Sequence, residues 1–434
     1  MQVGDEVEGV EVLLQRHPLL EGAEVVAQVV GVGRGLGAGE RARTSRGGDR
    51  GHVCILPVAA GAPTARLGRV NGAEQVQQWS VPGRVNLVGE HLDYNGGASL
   101  PIAIDKGFTV KVRPRPDETV NVWSAGQKAS FPVSVQPGDV QGWAAYVAGT
   151  VWAAREAGHR VGGVDLVLDS DLPSGAGLSS SAALTCGVAV SLDSLGDWQQ
   201  GPTDLAVLAR RAENDYVGAP TGLMDQLAVM HGRRGHAVRV DTATEPPSVE
   251  VVPIDWESAG LVLAVIATGV NHSHADGGYA DRHAESRRAA EALGVEHLAQ
   301  VGLDALVTLD DETLKARTRH VLTENARVKA FVRASADGSW AQAGTILTAS
   351  HASLRDDYQV SAAELDVAVD TALEAGALGA RMTGGGFGGS AIALVERDKA
   401  AAMASAVEAA FEHMSWKKPQ VFPVSPADGA RRTA

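Results

Sequence analysis

Within Pro82-Gly83-Arg84-Val85-Asn86-Leu87-Val88-Gly89-Glu90-His91-Leu92-Asp93-Tyr94-Asn95, one Arg, one His and two carboxylates crowd into a turn-rich run that no amphipathic helix or strand pattern requires. Glu90 and Asp93 can each accept from neighbouring hydroxyls, and Arg84 offers a rigid fork of donors that suits a phosphate or a carboxylate. Glycines at 83, 89, 96 and 97 permit close backbone approach or positive φ. A solvated loop with a local ion pair accounts for any one of these residues but less readily for all of them together. The run reads as the wall of a pocket for a polyol with a phosphate donor nearby.

A second chemical run, Pro173-Ser174-Gly175-Ala176-Gly177-Leu178-Ser179-Ser180-Ser181-Ala182-Ala183-Leu184, leads from a strand through glycines into a Ser/Ala-rich segment with good helical prospects. Free amides at the helix start and the helix dipole favour a phosphate, and the serine hydroxyls can add hydrogen bonds or reach a metal ion. A plain Gly/Ser turn capped by Ser179 is the competing reading. No G-x-x-x-x-G-K-[ST] occurs, so the chain is not a Walker-type NTPase. Gly222-Leu223-Met224-Asp225-Gln226 sets an acid among apolar neighbours directly after glycine, where a helix cap is the plain alternative to a reactive carboxylate.

These residues need elements to position them. Alternation over Phe108–Val112 and Val120–Trp123 predicts short antiparallel strands, and Asp165–Leu168 a strand that feeds the second glycine run. Trp143, Tyr146, Val147, Thr150, Val151 and Ala154 share one helical face ending near Gly158. Further helices are predicted over Asp204–Val217, which carries Glu213, and over Tyr279–Leu293. Ser361-Ala362-Ala363-Glu364 predicts a capping box for a helix closed by Gly376. Leu261–Ala267 reads as a buried strand and residues 391–396 as the last one. Strands and helices mix without regular βαβ alternation, which indicates an α+β fold.

The bulk composition excludes several classes. A net charge of −14 repels polyanions, so nonspecific nucleic-acid binding is not expected. No apolar run approaches the ~20 residues of a membrane span, and the N-terminus has no signal-peptide pattern. Two cysteines, Cys54 and Cys186, make no disulfide framework, and a cytoplasmic setting is expected. Residues 1–75 form a low-complexity extension expected to be disordered: Arg34–Gly51 holds five arginines and six glycines with almost no apolar side chain. Gly33-Arg34-Gly35-Leu36-Gly37-Ala38 fits a dinucleotide-loop pattern, but no helix is predicted after it to hold a pyrophosphate. His272, His274 and His283 cluster in sequence without zinc-site spacing and read as solvated loop histidines.

The first run resembles the galactokinase signature, differing mainly at Leu92, where the usual form has Thr. The second resembles the second motif of the GHMP small-molecule kinases, with Thr185 where many members carry Glu, a departure expected to touch helix-end packing. Thr383-Gly384-Gly385-Gly386-Phe387-Gly388-Gly389-Ser390 resembles the third motif. It also satisfies G-x-G-x-x-G, but a helix precedes it and a strand follows, the reverse of a Rossmann loop. The resemblance covers roughly residues 78–425. It implies a two-domain fold, ribosomal-S5-like at 76–255 and ferredoxin-like at 256–425, with the active site between and a flexible tail at 426–434.

The resemblance further implies that Asp225 accepts the proton of the anomeric hydroxyl, with Arg84 steadying it. Galactose would be held by Glu90, His91, Asp93, Gly222, Asp225 and Tyr279. ATP would lie on Pro173, Gly175, Gly177, Leu178, Ser179, Ser180 and Ser181, pressed by Gly385 and Gly386. Trp143 and Tyr146 would flank the adenine unless they are core aromatics. Mg²⁺ would sit on Ser181 and Glu213. A basic residue is common in the family near Asn271. The implied protein is a monomer that uses galactose and MgATP. Kinases for other sugars, such as N-acetylgalactosamine or arabinose, are the alternatives within enzymes; the Gly89-Glu90-His91-Leu92-Asp93-Tyr94-Asn95 run argues against mevalonate or homoserine, and the complete Ser179-Ser180-Ser181-Ala182 argues against a ligand-responsive sensor built on an inactive kinase.

Overall fold

The computed structural model describes the backbone of residues 76–173, 175–219, 221–271 and 275–434, and the side chains of the same residues except 271 and 275–277. The N-terminal extension with its Gly33–Ala38 pattern and Cys54, the side chain of Asn271, and His272 and His274 lie outside the described residues.

The first half builds strands β1 (Gln77–Asn86), β2 (Ala98–Ser99), β3 (Pro101–Pro114), β4 (Thr119–Ser124) and β5 (Gln127–Pro132), then helix α1 (Ala144–Glu156) and strand β6 (Val164–Ser170). Helices α2 (Ser180–Gly196), α3 (Pro202–Arg211) and α4 (Met224–His231) follow, with strands β7 (His236–Asp241) and β8 (Ser248–Pro253). The second half runs β9 (Leu261–Asn271), α5 (Ala275–Leu293), α6 (Glu312–Ala336), α7 (Trp340–Asp356), α8 (Ala363–Glu374), β10 (Gly379–Thr383), β11 (Gly388–Glu396), α9 (Ala400–His413), β12 (Gln420–Val424) and β13 (Arg431–Arg432).

The strands form a six-stranded sheet in the order β13-β1-β3-β6-β4-β5, a four-stranded antiparallel sheet β10-β11-β9-β12, and a small sheet β2-β7-β8. In β3 the alternation is real: Phe108, Val110 and Val112 are buried while Thr109 and Lys111 are not. Helix α2, made of small and aliphatic residues, is buried from Ala182 to Leu192, packing on β1 and β3 and against α1, α3 and α4. Each fully buried Val or Leu side chain contributes ~1.5–3 kcal/mol, so this helix is pinned from Ala182 to Leu192. Its first turn, which carries the serines, is therefore fixed in place. The central strand β9 of the second sheet reads Leu-Val-Leu-Ala-Val-Ile-Ala over 261–267 and is almost wholly buried there.

Four expectations need correction. The predicted helix Asp204–Val217 is α3 followed by a π-helical turn, Ala212–Val217, closed by Gly218 at φ 84°. The capping box is not formed: α8 begins at Ala363, Ala362 is the cap residue, and the Ser361 hydroxyl donates instead to Asp366 Oδ1 at 2.5 Å. The strand at 391–396 is not the last, since β12 pairs with β9 and β13 with β1; Pro423 in β12 is tolerated because that strand lies at a sheet edge. Residues 426–434 are not a flexible tail. Their amides are bonded to the body, Ala430 N–H to Val229 C=O at 2.9 Å and Thr433 N–H to Gln78 C=O at 2.7 Å, and Arg431 and Arg432 pair with Ser80 and Trp79.

Candidate active site

The signature starts at the end of β1. Its pairing with β3 slips between Pro82 and Arg84, a bulge that leaves Gly83 out of register and re-aims Arg84. A Cβ at 83 would collide with the Leu178 carbonyl, so only glycine lets the strand lie against the glycine loop, and Arg84 N–H donates to that same carbonyl at 3.2 Å. The Arg84 side chain is buried and bridges two regions. Its Nη1 donates to the Gly177 carbonyl at 2.7 Å, while Nε and Nη2 donate to Asp225 Oδ1 and Oδ2 at 2.7 and 2.8 Å. Asp225, in the first turn of α4, caps nothing. Its Oδ2 also accepts from Ser179 Oγ at 2.5 Å, so Ser179 serves the acid rather than capping α2.

Arg84, Glu90, His91, Asp93, Thr221, Gly222, Met224, Asp225, Tyr279, Gly384 and Gly385 line one cavity of about 180 Å³. That is below the ~300–1,000 Å³ of sites for drug-sized ligands and suits a small polar molecule. Asp93 is pushed up to about 7, first by burial and then by the negative charges of Asp225 and Glu90. A Cβ at 222 would overlap the Asp93 carboxylate, which explains glycine there. His91 takes a left-handed backbone (φ 62°), held by Asn95 Nδ2 donating to its carbonyl at 2.7 Å. The Tyr279 ring lies 5.6 Å from the His91 ring, centre to centre, and closes the cavity beside Gly385.

Glu90 meets the cavity with only part of its carboxylate. Oε1 accepts from Gly384 N–H at 2.7 Å and Thr383 Oγ1 at 3.2 Å, and Arg381 Nη2 stands 3.1 Å away, bent outside hydrogen-bond geometry. Fully buried Arg381 in turn donates to Leu87 C=O at 3.0 Å and lies 3.9 Å from Glu324. Glu324, fully buried on α6, accepts from Gly89 N–H at 2.8 Å and Ser350 Oγ at 2.7 Å and pairs with Arg327. Burial pushes Glu324 upward, but Arg327, His320 and Arg381 outweigh it and hold the group at about 2. Sequence reasoning missed Arg381 and Glu324. The available signals were an Arg in the otherwise apolar strand β10 and a Glu on the stripe Val321, Val328, Phe331 of α6.

The glycine loop is shaped by backbone. Gly175 and Gly177 have φ of 71° and 67°, and Ser179 follows at 56° before α2 begins at Ser180. Pro173 and Leu178 flank these turns, Leu178 buried. The third motif packs on this loop, with Ser390 Oγ donating to the Ala176 carbonyl at 2.6 Å. The expected contacts shift within that motif: Gly384 and Gly389 approach Gly177, whereas Gly385 faces Tyr279 and the small cavity, and Gly386 packs on Val360.

Glu213 lies in the π-helical turn, a form common at functional sites. It is buried, with Oε1 accepting from Gln226 Nε2 at 2.9 Å and Thr185 Oγ1 at 3.1 Å, and the Ser181 hydroxyl lies nearby. Thr185 therefore touches this carboxylate rather than helix-end packing. Burial pushes Glu213 up to about 7, Asp225 adds to the effect, and only neutral donors oppose it. A buried carboxylate that forms no ion pair among the described residues, beside a serine hydroxyl at a phosphate-type helix start, has the hard oxygen donors that a divalent cation takes. Among the described residues no group of three or more His, Cys, Asp and Glu gathers as a metal site, so a metal here would take its remaining ligands from phosphate and water. Tyr146 is placed towards this side, its hydroxyl pushed up to about 12 by burial and by Glu213. Trp143 is buried, its indole N–H donating to Gln127 Oε1 at 2.8 Å, and reads as a core anchor. His283, expected in a loop, stands exposed on helix α5 instead, its ring tilted by 36° against Tyr94 with 4.8 Å between ring centres.

Comparison with known proteins gives this arrangement its class. The GHMP kinases N terminal domain matches residues 145–233, which hold the glycine loop, and the GHMP kinases C terminal domain residues 328–413, which hold strands β10 and β11. The galactokinase galactose-binding signature matches residues 69–114. Galactokinase from Streptomyces coelicolor is 45% identical over 383 residues, covering 86% of this chain and 98% of the relative. Galactokinase from Mycobacterium tuberculosis (strain H37Rv) is 44% identical over 357 residues, covering 81% and 98%. The crystal structure of Lactococcus lactis galactokinase complexed with galactose superposes with a TM-score of 0.78 at 34% identity, covering 83% of this chain and 96% of the other. The chain belongs to the galactokinase family.

Proposed function

We propose that the protein transfers the γ-phosphoryl group of MgATP to the anomeric hydroxyl of α-D-galactose, giving galactose 1-phosphate, ADP and a proton. One observation carries the reading: a single buried guanidinium, Arg84, holds the carbonyl of the phosphate loop and both oxygens of Asp225, so the phosphate end and the acid share one frame. In this reading Asp225 orients the anomeric O–H and takes its proton as the oxygen bonds to phosphorus and the β–γ bridging oxygen leaves with ADP. A loose transition state asks for the proton only late, so the position of Asp225 matters more than its basicity.

Glu90, His91, Asp93 and Tyr279 line the cavity and read the sugar hydroxyls; Gly222 makes room for Asp93. The amides between Gly175 and Ser181, at the start of α2, face the phosphates. A kinase acting on ATP requires a divalent cation. Here it would be Mg²⁺ on Glu213 and Ser181, supplying charge neutralisation of the terminal phosphates. Tyr146 lies on the nucleotide side. Two domains meet at this site, with the first near 76–255 and the second from 256. No helix among the described residues is long and apolar enough to cross a membrane, and we read the protein as a cytoplasmic monomer that binds small molecules and no nucleic acid.

The test is a coupled ADP-release assay with ATP, Mg²⁺ and a panel of sugars. Galactose should turn over with kcat/KM far above glucose, because a site built to pair a buried hydroxyl can reject a mismatched analogue by up to ~10⁴. Equal kcat/KM for the two epimers would refute the specificity. Sugar binding without ADP release would favour a sensor.

A further inference from the structure

Resting on the reading of the cavity as a sugar site, we infer that Tyr358 and Ser286, two residues remote from the signature in sequence, fix the tautomer of His91, so that its unpartnered Nε2 carries the proton and can meet a sugar hydroxyl only as a hydrogen-bond donor. His91 Nδ1 lies 2.9 Å from Tyr94 Oη, Tyr94 Oη lies 2.9 Å from Tyr358 Oη, and Tyr358 Oη lies 2.7 Å from Ser286 Oγ. His91 Nε2 is buried without a partner, in a residue that lines the cavity.

Each hydroxyl has one proton to give, so the chain can run in only two directions. If His91 Nδ1 carries the proton, it donates to Tyr94, Tyr94 to Tyr358 and Tyr358 to Ser286. The buried Ser286 hydroxyl then has no acceptor for its own proton among its contacts, at the cost of an unpaired buried donor. If the chain runs the other way, Ser286 donates to Tyr358, Tyr358 to Tyr94 and Tyr94 to His91 Nδ1; every hydroxyl proton is used and only the Nε2 proton is left unpaired, whereas the first direction leaves both the Ser286 proton and the Nε2 lone pair without a partner.

Asn95 supplies no acceptor that would relieve the first direction. Its Nδ2 is oriented by the His91 carbonyl at 2.7 Å and offers weak donation to Tyr358 Oη at 3.4 Å and Ser286 Oγ at 3.5 Å, so both oxygens receive from it. His91 is neutral at physiological pH, since burial, with His320 and Arg381 nearby, lowers it to about 3. The proton then resides on Nε2. The Gly385 carbonyl also lies near the ring, on the side that favours a proton, though not in hydrogen-bond geometry. A sugar hydroxyl oxygen meeting His91 must therefore accept. Tyr358 and Ser286 touch no reacting atom and are positioning residues.

The experiment is a long-range proton–nitrogen correlation spectrum of ¹⁵N-histidine-labelled protein, the His91 signals identified by their loss in His91→Gln, together with steady-state kinetics. The free wild-type protein should show the Nε2–H tautomer. Tyr358→Phe and Ser286→Ala should each move His91 towards a mixture and raise KM for galactose by about 3–10-fold, the range for losing part of one neutral hydrogen bond, with kcat and KM for ATP within about twofold. A wild-type Nδ1–H tautomer overturns the inference, as do variants that leave both tautomer and KM unchanged, or losses spread equally over ATP and kcat. The wild-type spectrum needs no variant to fold and no turnover, so absence of galactose phosphorylation would strike the proposed function while leaving the tautomer separately decided.

Discussion

The small polar cavity and the glycine loop meet at Arg84 but are built on opposite principles. The cavity is made of side chains: Glu90, His91, Asp93, Asp225 and Tyr279, braced from behind by Arg381, Glu324 and the tyrosine relay. The loop is made of backbone, with Gly175, Gly177 and Ser179 in left-handed conformations and a helix start behind them. Charged side chains buried in a network discriminate, because each unpaired atom costs free energy. Backbone amides grip any phosphate and care mainly about the room and φ that glycine supplies. Specificity should therefore reside on one side of Arg84 and general phosphate affinity on the other.

That contrast can be broken by substitution. The largest effect should come from Asp225→Asn, which should lower kcat by ~10²–10⁴ while ATP affinity, measured by calorimetry, stays within a few-fold; unchanged kcat would remove Asp225 from the chemistry. Next is Arg381→Met, which leaves Glu90 and Glu324 without their shared cation and should cost ~3–5 kcal/mol in denaturant unfolding. Gly222→Ala should raise KM for galactose at least ~10-fold through its overlap with Asp93, and leave KM for ATP alone.

Smaller effects sharpen the picture. Asp93 and Glu213 both sit near 7 in the folded protein, above their usual values near 4. Both are then protonated when folded and ionised when unfolded between about pH 4.5 and 7. The metal-free protein should accordingly lose stability as pH rises through that window, on the order of 1 kcal/mol per unit for each group. Mg²⁺ with nucleotide should raise Tm more at pH 8 than at pH 6, and Glu213→Gln should flatten the slope. Smallest of all, Gly177→Ala should cost only ~1–2 kcal/mol of backbone strain at φ 67°, because a Cβ there meets nothing closer than 3.9 Å. Its kinetic mark should fall on ATP alone.

The same contrast governs what the sequence made legible. The two glycine runs and the signature are contiguous, and their residue types declare turns, so the loop, the acid and the cavity wall could be named before any fold. What stayed hidden acts across the chain. Glu324 reaches Gly89 over 235 positions and Tyr358 reaches Tyr94 over 264, pairings no local pattern encodes. Thr185 seemed a packing residue because helix position does not tell which carboxylate will face it. Gly385 and Gly386 were expected to press on the glycine loop, which Gly384 and Gly389 approach instead, because a glycine run does not disclose which way each backbone step turns. The paired C-terminus escaped notice because Arg431 and Arg432 form a strand only by completing an edge already offered by β1.

The central claim is that the phosphate cradle and Asp225 address one transferred group across Arg84. A crystal structure with galactose and a non-hydrolysable ATP analogue tests it most directly. The account predicts the anomeric oxygen within hydrogen-bond distance of Asp225 and in line with a γ-phosphate on the amides between Gly175 and Ser181. A sugar bound away from Asp225, or a nucleotide whose terminal phosphate lies off that loop, would contradict it.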